Sequence, residues 1–210
     1  MAAHHYPESI DANARPVCSL LLTVSPLALA DIEYHGFHID DRQLDASQRD
    51  AFTASITGQL DIVERANLPP AMLDFFKQTR IEVDASIKGN PGVFRVDHGA
   101  GAVFVRPEPF PANKPILLHE LLHAYHFNVL GLRNQPILDG FAAASKDGVY
   151  PAGFHRTHFL ENAKEYFAVT GTIYLVGEIQ QPPFNCAVLA KNDASYLAFM
   201  AATFGPHDCK

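Results

Sequence analysis

Apolar and polar positions recur along this chain in several different periods. After Asp31, the run Ile32-Glu33-Tyr34-His35-Gly36-Phe37-His38-Ile39 comes near period-two alternation and predicts a strand. Asp45 or Ser47 can cap a helix that follows, with Phe52, Ile56, Leu60 and Val63 as its apolar stripe. Pro69 and Pro70 suit the first turn of another helix, where a missing N–H costs nothing, and Leu73 and Phe76 give it an apolar side. Between residues 80 and 106 the pattern shortens. Arg80–Asp84, Gly92–Val96 and Ala102–Val105 are brief strand-like runs separated by Gly-Asn-Pro-Gly and His-Gly-Ala-Gly turns, which predicts a small antiparallel sheet. Pro107, Pro109 and Pro111 then break the alternation. Helices are expected over about Asn113–Val129, Gln135–Ser145, Thr157–Val176 and Asp193–Phe204. Helices, a small sheet and then a helical C-terminal half indicate an α+β fold in one domain, spanning 31–210.

Totals narrow the picture. A length of 210 residues allows one ordinary core, and 48% hydrophobic against 19% charged residues is a globular balance. The formal net charge of -7 repels phosphate backbones and argues against nucleic-acid binding. No run reaches the roughly 18–20 apolar residues that span a bilayer, so no membrane span is expected. Residues 1–30 hold Arg15, a short apolar run over Pro16–Val24 and an Ala28-Leu29-Ala30 ending, which together read as a secretory signal cleaved after Ala30. A buried first strand or a plain leader is the alternative. Loss of that segment removes Cys18 and leaves Cys186 and Cys209 as an even pair, able to close a disulfide in an oxidising compartment.

The chemistry centres on His119-Glu120-Leu121-Leu122-His123, an H-E-x-x-H pattern. Residues four apart lie on one face of a helix, about 6 Å along its axis, so two imidazoles can reach one tetrahedral ion. Glu120 is then offset to take a proton from a metal-activated water. Ile116, Leu117, Leu118, Leu121 and Leu122 make the helix apolar nearly all round, so it should be buried. Polar groups buried there need partners or a metal. A third ligand is available from Glu161 or Glu165, four apart on the next long helix. The apolar surroundings of Glu165, beside Tyr166, Phe167, Ala168 and Val169, favour it. His126, His155 and His98 rank below these as direct participants.

The segment His119–His126, HELLHAYH, followed by Asn162-x-x-Glu165-Tyr166-Phe167-Ala168, resembles the catalytic domain of anthrax lethal factor and its small stand-alone relatives. These are gluzincins, zinc peptidases whose ligands are two His and a Glu. The likeness extends to Gln135–Leu138, Gly148-Val149-Tyr150 and Pro182-Pro183-Phe184. It implies a zincin-like fold, one zinc ion per chain held by His119, His123 and Glu165, and Glu120 as general base and proton shuttle. Relatives commonly carry a Tyr seven residues before the ligand Glu, able to hydrogen-bond the tetrahedral oxyanion. His158 stands there in this chain and can donate the same bond.

The expected activity is therefore zinc-dependent endopeptidase cleavage of a peptide or protein substrate by a monomeric, secreted enzyme. The strand at Ala102–Val105 is expected at the sheet edge over the zinc helix, where an extended peptide can add. The rival from another class is a non-catalytic secreted binding module of zincin fold whose metal site is structural and closed.

Overall fold

The computed structural model describes residues 31–97, 99–146 and 148–209. The segment read as a secretory signal, Cys18 within it and His98 lie outside the described residues. The first strand-like run is a hairpin rather than one strand: β1 (Asp31–Tyr34) and β2 (Phe37–Asp40) pair antiparallel. His35 and Gly36 between them both have positive φ, 48° and 85°, as a tight two-residue hairpin turn requires. Helix α1 (Arg49–Arg65) buries Phe52, Ile56, Leu60 and Val63, the expected stripe. Helix α2 (Pro70–Gln78) starts on Pro70, and its buried residues are Met72 and Phe76, with Leu73 only half-buried.

The sheet is mixed, not antiparallel. Strands β3 (Ile81–Val83), β4 (Gly92–Arg95) and β5 (Ala102–Val105) join the hairpin in the order β1-β2-β3-β5-β4. β3 runs parallel to both β2 and β5, while β4 pairs antiparallel with β5. The cause is connectivity. α1 and α2 form a crossover between β2 and β3, and a crossover returns the chain in the same direction. The expected edge strand, Ala102–Val105, is therefore interior, and β4 is the edge.

Helix α3 (Ile116–Tyr125) is shorter than its apolar pattern implied, and continues as a π-helical turn over His126–Leu130. Pro115 precedes α3 and offers no side-chain cap. The cap comes from α1: buried Gln59 accepts from the Leu117 N–H at 3.2 Å and donates to the Lys114 carbonyl at 2.8 Å. Gln59→Leu keeps the volume and strands both groups, so a loss of about 3 kcal/mol is expected in denaturant unfolding; an unchanged midpoint would deny Gln59 this role.

The helical half comprises α4 (Gln135–Ala144), α5 (Ala163–Val176), α6 (Cys186–Asn192) and α7 (Ala194–Phe204). α5 begins six residues later than its periodicity implied. Two 3₁₀ turns, at Ala152–Arg156 and His158–Leu160, occupy the intervening chain. Asn162 fixes the start, its side chain accepting from the Lys164 and Glu165 amides at 3.0 and 3.1 Å. The expected last helix is preceded by α6, and Asp193 separates the two by capping α7 through the Tyr196 N–H. Cys186 and Cys209 are bonded, tying the start of α6 to the segment after α7. Tyr166 to Leu175 of α5 are all buried, so this helix is the centre of the core and α3 packs directly along it. Among the described residues, no helix is long and apolar enough to cross a membrane.

Candidate metal centre

α3 and α5 pack so that the middle and end of α3 meet the first turn of α5. His119 and His123, one turn apart, turn their rings to the same side and stand edge to face, with centroids 4.7 Å apart. Glu165 sits just inside the capped start of α5, where the helix dipole favours a carboxylate. Its Oε2 lies 3.1 Å from His123 Nε2 and 3.3 Å from His119 Nε2, and the two nitrogens are 3.1 Å apart. All three side chains are largely buried. Glu161 belongs to the turn before the cap, so it does not share a helical face with Glu165 as the spacing implied.

Three donor atoms converging on one another within 3.3 Å ask for something at their centre. Hydrogen bonds cannot serve every edge, because each Nε2 carries at most one proton. A tetrahedral zinc with Zn–N of about 2.0–2.1 Å places its ligands about 3.3 Å apart. The observed edges of 3.1, 3.1 and 3.3 Å match that spacing. The residues present therefore suit a metal ion.

His158 is the fourth imidazole-or-carboxylate group at this point. Its Nε2 lies 2.7 Å from Glu165 Oε2 and its Nδ1 lies 2.9 Å from Glu161 Oε2. Donor atoms of His119, His158 and Glu165 all fall within 4.8 Å of one another. The hydrogen bond that His158 donates to Glu165 pushes its imidazole up to about 9, against burial, with Glu161 adding to it. Glu165 is pushed upward by burial, yet its bonds from His119, His123 and His158 outweigh that and hold it well below the usual carboxylate range.

Glu120 is buried, on the side of α3 next to β4. Arg106 N–H donates to the Pro91 carbonyl, so alternation along β4 leaves the Gly92 and Phe94 amides on its outer side. Phe94 N–H there donates to Glu120 Oε2 at 2.8 Å. Burial raises the Glu120 carboxyl above its ordinary range, opposed by the His119 ring and the Phe94 amide. Gly92 makes the approach feasible, since a Cβ there would meet both Glu120 Cγ and Ile116 Cγ2 at 3.2 Å. Gly92→Ala should therefore displace Glu120 by a few tenths of an ångström, which a crystal structure of the variant measures. An unmoved Glu120 would show that its position does not depend on this contact.

An open groove of about 680 Å³ borders the cluster and includes Gly92, Ile116, His119, Glu120 and His158. His123 and Glu165 sit behind it. His126 is buried against Phe167 with ring centroids 5.0 Å apart, and burial first, then His123 and Lys164, push it down to about 4. It stands beside the cluster and is not one of the converging donors. Tyr150 is buried among Phe154 and Phe159. Sequence reasoning missed Phe94, Gly92 and Gln59. A backbone amide leaves no mark in residue identity, and a polar residue inside an apolar stripe gives only a faint one.

No protein-family model matches the chain, and no curated protein matches it. Among solved structures, it is similar to the Pro-Pro endopeptidase from Paenibacillus alvei, with 17% sequence identity and a TM-score of 0.45. That similarity covers 79% of this chain and 96% of the other. At this identity and score the similarity carries neither a family nor an activity over to this chain.

Proposed function

We infer that this chain is a zinc-dependent endopeptidase of gluzincin type, the activity implied by its resemblance to the lethal factor catalytic domain. One observation carries the reading: His119, His123 and Glu165 converge at tetrahedral-ligand spacing, with Glu120 beside them lining a groove. His119, His123 and Glu165 would hold the zinc, which would supply an activated water and polarise the scissile carbonyl. Glu120, its carboxyl raised by burial, takes a proton from the attacking water and passes it to the leaving amine. The Phe94 amide keeps Glu120 aimed while it does so. His158, held at Nδ1 by Glu161, would turn its Nε2–H from Glu165 to the oxygen that gains charge in the tetrahedral state. An extended peptide aligns along the outer edge of β4, the edge strand beside α3, in place of the Ala102–Val105 strand first expected. The bonded Cys186 and Cys209 support export to an oxidising compartment.

A second reading follows from His158 itself. With Glu161 holding Nδ1–H, its Nε2 can act as a fourth ligand, which would close the site and leave a structural metal in a binding module. Digestion of a degenerate peptide pool, with and without chelator, separates the two. Cleavage that chelator stops and zinc restores is expected; a zinc-loaded protein that cleaves nothing would favour the closed site.

A further inference from the structure

α3 and α5 run in opposite directions through the site, so the groove leaves the metal cluster toward the start of α3 and the end of α5. Ile116 is one turn before His119, and Thr172 is two turns beyond Glu165; both line this arm, with Ile179 after α5. Thr172 commits its hydroxyl to the Ala168 carbonyl at 2.7 Å. These three side chains thus form an uncharged, largely apolar seat. Glu120 stands at its inner end, and Glu120 serves the leaving amine in the mechanism above.

Charge on the arm is unequal. Glu108 is tied to Arg106. Lys114 also lines the arm and is exposed, and among the described residues no carboxylate pairs with its ammonium. Its backbone is held on both sides: Lys114 N–H donates to the Pro111 carbonyl at 3.1 Å, and its own carbonyl accepts from Gln59. The cation therefore projects from a fixed point in a protein of net charge -7.

We propose that Lys114 holds a carboxylate of the peptide on the leaving-amine side, one or more residues past the side chain that sits on Ile116, Thr172 and Ile179. The inference rests on the peptidase reading for the direction of the chain. The ligand chemistry is a carboxylate one or more residues past an apolar residue, supplied by an acidic side chain or by a peptide C-terminus.

Binding separates this from catalysis. The full chain carrying Glu120→Gln, loaded with zinc, is titrated into fluorescein-labelled octapeptide pools. The pools fix Leu at one position and Glu, Gln or Lys two residues later, all C-terminally amidated. A further Gln pool ends at that residue with a free carboxylate. The Glu pool should bind about tenfold more tightly than the Lys pool, as a charge-assisted hydrogen bond in a partly open groove allows. Adding Lys114→Glu should reverse that order. The free-carboxylate pool matching the Glu pool would show that a C-terminus serves as well as an acidic side chain; matching the amidated Gln pool would assign the source to a side chain alone. Equal binding of Glu and Lys pools, an order unmoved by Lys114→Glu, or no binding to any pool overturns the proposal. Hydrolysis of the same pools by protein retaining Glu120 reports separately on the peptidase reading.

Discussion

Glu120→Gln is expected to lower kcat about a thousandfold while one zinc ion per chain is retained and the fold is unchanged. The substitution is nearly isosteric. Its amide oxygen can still accept from the Phe94 N–H, and the side chain still fits in the space that Gly92 leaves. What disappears is the ability to take up a proton. A thousandfold loss corresponds to about 4 kcal/mol in the barrier, within reach of one general base. Replacing a buried carboxylate with a neutral amide relieves desolvation, so the unfolding midpoint should hold or rise. Rates on a cleaved peptide, zinc content and a denaturant melt settle it together. A variant that keeps full activity would remove Glu120 from the chemistry, whatever the metal does.

Glu165→Gln should act on the metal instead. His119 and His123 lose their shared anionic partner, and the remaining amide oxygen is a poor zinc ligand. Losing an outer partner of a metal ligand already costs 10–100-fold in affinity, so losing a ligand should cost more than about 100-fold. Zinc-dependent thermal stabilisation should shrink with it, because a ligand stabilises only in proportion to its occupancy. His158 loses the bond that pushes its imidazole up, so it should titrate lower in the metal-free variant. Zinc titration with a competing chelator gives the affinity directly. Wild-type affinity in Glu165→Gln would mean the site lies elsewhere.

The parts of this molecule that the sequence made legible are those governed by side-chain periodicity. The stripe Phe52, Ile56, Leu60 and Val63 announces α1, and all four are buried. The His119–His123 spacing places two imidazoles on one helical face, and the structure brings Glu165 and His158 to them. What escaped depends on direction and on backbone. Three- and four-residue strands carry no sign of whether they run parallel, so β3 was expected in an antiparallel sheet and lies parallel between β2 and β5. β4 and β5 exchanged edge and interior for the same reason. The start of α5 was misplaced because apolar spacing extends back past Asn162, whereas the cap at Asn162 decides where helical bonding begins. That shift also separates Glu161 from Glu165, leaving one to orient His158 and the other to face the imidazole pair.

The central claim is that His119, His123 and Glu165 hold zinc with a position left open beside Glu120. A crystal structure of the zinc-loaded protein with anomalous diffraction at the zinc edge measures this most directly. The account predicts one strong peak about 2.0–2.2 Å from His119 Nε2, His123 Nε2 and a Glu165 oxygen, with a solvent ligand facing Glu120. No peak between α3 and α5, or an ion closed off by His158 as a fourth protein ligand, would contradict it.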